Sequence, residues 1–418
     1  MSGKRWTIGL MAVFACALLI NFVVGFKWGL AKPMESDAFY YLRIADSLVH
    51  GQGYLLQEGF WPTVPTMSRS PAWPFVISLA MRLVPSVSPD LVMRVLSLVL
   101  NAWVAVMLAS LAFKLTRQNT VAVISGLAYA IHPTALYLAY GGESEIIFLI
   151  LALGGTHLLL STGRWRWLGF LLLGTACLAR ANFILWIIAF TGLTAVYMWR
   201  FRSPISRRWF WQGALAVALF LLPPMIWAGR NYQICKHFPV FSTLRGQTFY
   251  GGNNSVVAND LEFWGYWVFP NSIPGEIPMS KLAETKSEYE VDCYYYNLGQ
   301  QYIRQQWFSM PRLFLGKLIR AYVPMPWKPS WGSYAVSAYR GILYVFAGVG
   351  LCVMGLRIGR IYGMVLWAMV LTNVVTVLMF WGCGRFAFAV EPFLLPFAVK
   401  AFWSLITSRL NSSRNCTV

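Results

Sequence analysis

The sequence ESDAFYYLRIADSLVHGQG runs from Glu35 to Gly53 and follows an apolar segment, Trp6 to Phe26, that is long enough to cross a membrane. Apolar residues recur after Asp37 at helical spacing, and they predict a helix with one apolar face that lies flat on a membrane surface: Tyr40, Tyr41, Ile44 and Leu48. Asp37 stands at the start of this helix. A carboxylate there either caps free backbone N–H groups or serves a chemical function, and both interpretations stay open at this point.

The composition is typical of a multi-pass membrane protein. Of the 418 residues, 58% are hydrophobic, 16% are aromatic and only 12% are charged, which is far outside the range of soluble proteins. The predicted fold class is therefore an all-α polytopic membrane protein. In a soluble protein the net charge of +19 would suggest a nucleic-acid partner, but here most basic residues fall in short clusters between apolar segments, as in cytoplasmic loops.

Hydropathy and charge predict about ten membrane spans with both termini inside. The clearest cytoplasmic marker is the basic connection RFRSPISRRW at residues 200–209. The predicted spans are Trp6–Phe26, Leu91–Phe113, Val121–Tyr137, Glu145–Leu160, Trp167–Ala179, Phe183–Trp199, Phe210–Trp227, Val336–Leu356, Ile361–Phe380 and Phe386–Ile406.

This topology divides the chain into three parts. Residues 1–230 form an N-terminal membrane module whose first outer loop, 27–89, carries Asp37 and a second interfacial helix within SRSPAWPFVISLAMRLVP. Residues 231–335 form a polar outer loop and an interfacial region, and residues 336–418 form the last spans and a short cytoplasmic tail. Cys235 and Cys293 share the outer loop and are candidates for a disulfide if that loop lies outside the cell.

Charged residues of both signs gather at the outer face in this topology, although they are far apart in sequence: Asp37, Arg69, Glu143, Glu145, Arg180 and Arg385. Charged groups at membrane depth either pair with one another, which lets the bundle fold, or line a polar cavity. Guanidinium groups can hold a phosphate and a carboxylate can accept a proton, so a cavity of this kind suits a reaction in which a phosphate leaves and a hydroxyl or amine attacks.

Other enzyme classes have no motif in this sequence. There is no Walker loop, no G-x-G-x-x-G after a strand, no G-x-S-x-G and no H-E-x-x-H. The cysteines form no C-x-x-C pair, and the four histidines are scattered, so neither a zinc site nor a redox motif is predicted.

Several short motifs, in this order and at these positions relative to the spans, resemble the bacterial membrane glycosyltransferases of the C superfamily. The most similar branch is related to the protein O-mannosyltransferases and to the aminoarabinose transferase of lipid A (glycosyltransferase family 39). The resemblance extends from about Asp37 to Pro396 and is carried by DAFYY (37–41), GQG (51–53), RSPAWPF (69–75), HP (132–133), SE (144–145), LAR (178–180), RNY (230–232), PVFST (239–243), GGNN (251–254), GRF (384–386) and EPFLLP (391–396).

The resemblance implies a transferase that takes a sugar from a polyprenyl-phosphate carrier on the outer side of the inner membrane. It implies that Asp37 is the catalytic base, that Glu145 is a second catalytic acid, and that Arg385 binds the carrier phosphate. Further candidate substrate-binding residues are Arg69, Tyr40, Glu143, Arg180 and Asn253. The protein mannosyltransferases carry an adjacent Asp-Glu pair where this chain has Asp37 followed by Ala38, which argues against a protein-mannosylating activity.

We therefore expect an inverting glycosyltransferase that moves a hexosyl or pentosyl group to an envelope lipid, glycan or protein, with no cofactor and no nucleic-acid partner. Metal independence is expected because a phosphate leaving group does not strictly need a metal; the alternative is a divalent ion held by Asp37 and Glu145. The competing function class is a transporter or flippase for polyprenyl-linked sugars or lipids, although the repeated halves typical of transporters are not evident.

Overall fold

A computed structural model describes residues 3–201, 206–327, 330–354 and 360–415. Within these ranges the chain is almost entirely helical, with no strand and one isolated β-bridge between Leu55 and Pro65. The helices are α1 (Gly3–Trp28), α2 (Ser36–Val49), α3 (Ala72–Leu83), α4 (Pro89–Thr116), α5 (Asn119–Ala130), α6 (Pro133–Tyr140), α7 (Glu145–Leu159), α8 (Trp165–Ala176), α9 (Leu185–Arg200), α10 (Arg207–Cys235), α11 (Arg245–Gly251), α12 (Ser255–Asn259), α13 (Met279–Ala283), α14 (Glu288–Gln305), α15 (Met310–Tyr322), α16 (Trp331–Met354), α17 (Arg360–Met379), α18 (Gly384–Ala387) and α19 (Glu391–Asn415).

The prediction of an all-α polytopic membrane protein is confirmed, whereas the number of spans stays a prediction. In the described part of the chain, 6 helices are long and apolar enough to cross a membrane, and a bent pair would make a seventh. Helix α7 is apolar but shorter. The centre of the basic connection 200–209 and the last two residues of the predicted span Val336–Leu356 lie outside the described residues.

Two predicted spans begin or run differently in the structure. The single span predicted at Val121–Tyr137 is two helices, α5 and α6, that meet at an angle of 52°. Pro133 explains the break, because it lacks an N–H group and forces His132 into an extended conformation. The span predicted from Phe386 begins at Glu391 instead, since the short helix α18 and a turn intervene, and Pro392 fits the first turn of α19.

The bundle is organised around α4, which packs against α1, α5 and α7. Helix α2 has the apolar face that the sequence predicts, but this face packs against protein. Ile44 is fully buried and belongs to a small apolar cluster with Tyr54 and Trp227, while α2 as a whole lies against α3 and α4. The start of α2, with Asp37 in its first turn, is thereby fixed to the bundle.

A second apolar core lies within residues 250–313, apart from the core of the bundle. It is built from α11 to α15 and includes Tyr295, Leu313 and Val257, all fully buried. Helix α15 begins with Met310 and Pro311 in the region that the sequence assigned to the interface. Cys235, at the end of α10, and Cys293, in α14, which the sequence named as candidates for a disulfide, are free thiols in the structure. The three-part division of the chain stays a prediction.

Helices α8 and α10 are in close contact at Gly174, where an added Cβ would overlap the carbonyl group of Phe220. We expect Gly174→Ala to lower the free energy of unfolding by about 1–3 kcal/mol, because the two helices must move apart. Gly213→Ala on α10 is the matched control, since a Cβ there meets nothing within 4 Å. Thermal unfolding in detergent measures both, and equal unfolding temperatures for the two variants would contradict this packing.

Candidate functional site

The six charged residues predicted to converge lie together in the structure. We refer to Asp37, Arg69, Glu143, Glu145, Arg180 and Arg385 as the charge cluster. Its three carboxylates come from α2, from the turn before α7 and from the first residue of α7, and its arginines come from three other segments of the chain. Every member forms at least one ion pair with another member. The convergence that the sequence predicted across nearly the whole chain is therefore present.

Asp37 faces two guanidinium groups and does not cap its helix. Its Oδ1 lies 3.2 Å from Nη2 of Arg69, and its Oδ2 lies 3.3 Å from Nη1 of Arg385. The N-cap residue of α2 is Glu35, and no side chain accepts a capping hydrogen bond there. Of the two interpretations of Asp37 that the sequence left open, the geometry agrees with a side chain directed into the charge cluster.

Glu143 and Glu145 are brought to the cluster by the turn between α6 and α7. Gly142 has a φ of +70°, which glycine adopts readily, and its carbonyl accepts a hydrogen bond of 2.7 Å from the indole of Trp73 on α3. Glu145 is the first residue of α7, where the helix dipole favours a carboxylate. The turn thus presents two acids, separated by Ser144, to the guanidinium group of Arg385.

Arg385 is the centre of the charge cluster, because its guanidinium contacts all three carboxylates. Its Nη2 lies 2.7 Å from Oε2 of Glu143 and 3.0 Å from Oε2 of Glu145, and its Nε donates to Oε1 of Glu145. Arg180 also donates to Oε1 of Glu145. Glu145 is 0% exposed, and both of its oxygens are occupied by guanidinium groups.

The environment of Glu143 raises the pKa of its carboxyl group. Burial raises the pKa of Glu143 from 4.5 to about 8, and the neighbouring carboxylates of Glu145 and Asp37 act in the same direction, whereas Arg385 opposes the shift. The charge cluster therefore contains one carboxyl group that exchanges a proton near neutral pH.

A cavity of about 520 Å³ opens onto the charge cluster, and its size is that of a typical small-molecule site. Asp37, Arg69, Arg180 and Arg385 form part of its wall. The remaining wall is largely apolar or aromatic. Its residues come from the turn before α9 and the start of α9, from the segment before α11, from the end of α17 and from α18: Ile184, Leu185, Phe238, Val240, Phe241, Met379, Phe380 and Phe386. The cavity is therefore lined by charged groups on one part of its wall and by apolar side chains on the rest.

Three of the predicted substrate-binding residues lie outside this lining: Tyr40, Glu143 and Asn253. Glu143 touches the lining through its contact with Arg385. Tyr40 is 37% exposed, and its ring lies under the guanidinium of Arg69 at 4.7 Å, while the next residue, Tyr41, lines the cavity. Asn253 is fully buried; it donates to the carbonyl groups of Phe249 and Met379 and accepts from Nζ of Lys317 at 2.8 Å. These bonds make Asn253 a structural tie between the second core and α17.

Other residues of the lining were missed by sequence reasoning: Tyr41, Ser68, Ser70, Ser144, Asn182, Arg245, Tyr289 and Asp292. Tyr41 and Ser144 are direct neighbours of predicted residues, so a wider window would have included them. Arg245 and Asp292 pair at 3.2 Å across α11 and α14, and no spacing rule links these helices.

The carboxylate oxygens of the charge cluster are paired with guanidinium groups in the structure. Within the described ranges, no three His, Cys, Asp or Glu side chains are grouped so that they could hold one. Asp37 and Glu145, the alternative ligand pair suggested by the sequence, each face arginine nitrogens with both oxygens. A divalent ion between them would have to displace Arg385.

Comparison with solved structures identifies the fold. The chain is similar to an oligosaccharyltransferase from Archaeoglobus fulgidus, solved with a tethered acceptor peptide that contains the NVT sequon, with a TM-score of 0.54 and 13% sequence identity. The similarity covers 97% of this chain and 50% of that one, so this chain spans half the length of that relative. At this level of identity the similarity shows that the two proteins share a fold.

Two further structures are similar at lower scores. Both are ArnT from Cupriavidus metallidurans, one bound to undecaprenyl phosphate (TM-score 0.45) and one in the apo state (TM-score 0.40). Each is 14% identical to this chain, and the similarity covers 96% of this chain and 78% of that one. No protein-family model and no curated protein sequence matches the chain.

The raised pKa of Glu143 predicts a pH dependence of stability. Between its ordinary pKa of 4.5 and its folded value of about 8, the folded protein holds a proton that the unfolded chain has released, so this contribution to stability is lost as the pH rises across that window. In the wild type this proton makes the free energy of unfolding decrease by up to about 1.4 kcal/mol for each pH unit across the window. We expect Glu143→Gln to remove this contribution to the slope.

The measurement is thermal or denaturant unfolding in detergent from pH 4.5 to 8 for the wild type and the variant. Parallel pH profiles would show that Glu143 does not hold this proton in the folded state.

Proposed function

We propose that this protein is a glycosyltransferase that moves a sugar from a polyprenyl-phosphate carrier to an acceptor in the cell envelope. The observation that carries the proposal is the cavity in which Asp37 and three guanidinium groups share a wall with an apolar surface. A polyprenyl-phosphate sugar has an anionic group between a hydrocarbon chain and a polar ring, and this wall is complementary to both sides of its phosphate. The shared fold of the glycosyltransferase C superfamily supports the same reaction class.

Arg69, Arg180 and Arg385 bind the carrier phosphate in this proposal. Arg69 and Arg180 each pair with a single carboxylate and retain N–H groups for a ligand. Arg385 contacts three carboxyl groups, and Glu143 is the one that yields its place, because with a pKa of about 8 it is mostly neutral at pH 7 and holds the guanidinium less strongly than an ionised carboxylate does. These guanidinium groups then stabilise the negative charge that grows on the leaving phosphate.

Asp37 is the proposed base. Its side chain is 38% exposed and lies in the cavity wall, so an acceptor hydroxyl can donate a hydrogen bond to it. As the acceptor oxygen attacks the anomeric carbon, the O–H proton passes to Asp37. The bond from that carbon to the phosphate oxygen breaks on the opposite face, its electron pair stays with the lipid phosphate, and the configuration of the sugar is inverted.

We assign a positioning role to Glu145, which the sequence suggested as a second catalytic acid. Both of its oxygens accept hydrogen bonds from Arg180 or Arg385, and unlike Asp37 it is 0% exposed and absent from the cavity wall, so a substrate hydroxyl does not reach it. The apolar part of the cavity, including Ile184, Leu185 and Phe241, receives the first isoprene units of the carrier.

We further propose that the reaction takes place on the outer side of the inner membrane and needs no metal. The guanidinium groups already supply the positive charge that a divalent ion would bring to the phosphate. Addition of a chelator separates metal-independent transfer from the alternative in which Asp37 and Glu145 hold an ion.

We expect Asp37→Asn to lower the rate of sugar transfer by about 10² to 10⁴ and to retain binding of the donor, because only the proton acceptor is lost. The measurement is transfer of label from a set of radiolabelled polyprenyl-phosphate sugars by the purified protein in detergent, with membrane extract as the source of acceptor. Asp46→Asn is the matched control, since Asp46 lies on the same helix and its side chain is also 38% exposed.

Loss of transfer in Asp37→Asn alone would support both the enzyme class and the base. If neither the wild type nor the variants transfer label from any donor, yet all bind the carrier lipid, the enzyme is excluded and transport of a polyprenyl-linked lipid becomes the function to test.

A further inference from the structure

A second group of buried polar side chains lies beside the charge cluster. Glu391, the first residue of α19, is 1% exposed, and its carboxylate has three partners from two other segments. Oε1 lies 2.6 Å from Nε of Arg340 and accepts a hydrogen bond of 2.6 Å from the hydroxyl of Tyr344, while Oε2 lies 3.1 Å from Nε2 of His132. None of these four side chains belongs to the described lining of the cavity.

Arg340 connects this group to the backbone that carries Arg385. While its Nε faces Glu391, its Nη2 donates to the carbonyl oxygen of Gly384, the residue immediately before Arg385. A guanidinium can bridge a carboxylate and a carbonyl in this way because its N–H groups are fixed in one plane. An added Cβ at Gly384 would overlap Nη1 of Arg340, so a side chain at this position would displace the guanidinium group.

The carbonyl group of Phe386, the residue immediately after Arg385, is held as well. Nδ2 of Asn373 donates to the carbonyl oxygen of Phe386 at 2.7 Å, and Oδ1 of Asn373 accepts a hydrogen bond of 2.5 Å from the hydroxyl of Tyr322. Both carbonyl groups that flank Arg385 are thus fixed by side chains from other helices, α16 on one side and α17 on the other.

We propose that Arg340, held in place by Glu391, is a positioning residue for Arg385. The inference rests on the proposed function, in which Arg385 binds the carrier phosphate. Glu391 compensates the buried charge of Arg340 and orients its guanidinium plane, and His132 and Tyr344 in turn fix Glu391. Arg340 touches no substrate; it sets the position of the Gly384 carbonyl and hence the direction in which the Arg385 side chain leaves the backbone.

Arg340→Lys tests this assignment, because a lysine keeps a positive charge beside Glu391 but cannot bridge to Gly384 with the same geometry. We expect the affinity for undecaprenyl phosphate, measured with purified protein in detergent, to fall about tenfold or more, since a displacement of about 1 Å at a phosphate-binding group is enough for such a loss. Gly384→Ala provides a second route, because its Cβ displaces Arg340 without changing any charge. The same loss is expected there.

A double-mutant cycle separates positioning from general destabilisation. In an Arg385→Met background, Arg340→Lys should have no further effect on the affinity, because Arg340 acts only through Arg385. Asn21→Ala is the control: Asn21 is a buried side chain that bonds to Leu98 and Asn101 on α4, and its removal should lower the unfolding temperature but leave the affinity unchanged.

Two results would overturn the inference, and they differ from a failure of the proposed function. Wild-type affinity in both Arg340→Lys and Gly384→Ala, or an equal loss in the native and the Arg385→Met backgrounds, would exclude a positioning role while leaving the phosphate site intact. If the wild type binds undecaprenyl phosphate no better than Arg385→Met does, the phosphate site itself is wrong and the inference is overturned with it.

Discussion

The charge cluster depends on one contact, that of the Arg385 guanidinium with three carboxylates. A buried carboxylate without a partner costs several kcal/mol, and Glu145 is completely shielded from solvent. Arg385 comes from the C-terminal part of the chain, whereas Asp37, Glu143 and Glu145 come from the N-terminal part. A single guanidinium therefore links the two parts of the bundle at the place where the cavity opens.

The helices place these charges at their ends. Asp37 lies in the first turn of α2, Glu145 begins α7, and Arg385 lies in the short helix between α17 and α19. Helix N-termini favour carboxylates, and the ends of apolar helices are where charged groups are least costly in a membrane protein. The same arrangement leaves the apolar segments of the helices free to pack, so the charged groups do not interrupt the core.

Much of this arrangement could be predicted from the sequence, because charges are rare in apolar segments and each one is conspicuous. All six members of the charge cluster were found in this way. Tyr41 was missed in favour of Tyr40 because a difference of one residue on a helix changes the direction of the side chain by about 100°. The tie formed by Asn253 and the pairing of Arg340 with Glu391 depend on which helices are neighbours, and a single sequence does not carry that information.

The most direct test of the account is an experimental structure of the protein with a bound polyprenyl phosphate, obtained by cryo-electron microscopy or crystallography. The account predicts that the phosphate lies within hydrogen-bonding distance of Arg385, Arg180 and Arg69, that the prenyl chain follows the apolar wall past Leu185, and that Glu143 has moved away from Arg385. A phosphate bound elsewhere, with all the contacts between Arg385 and the three carboxylates intact, would contradict it.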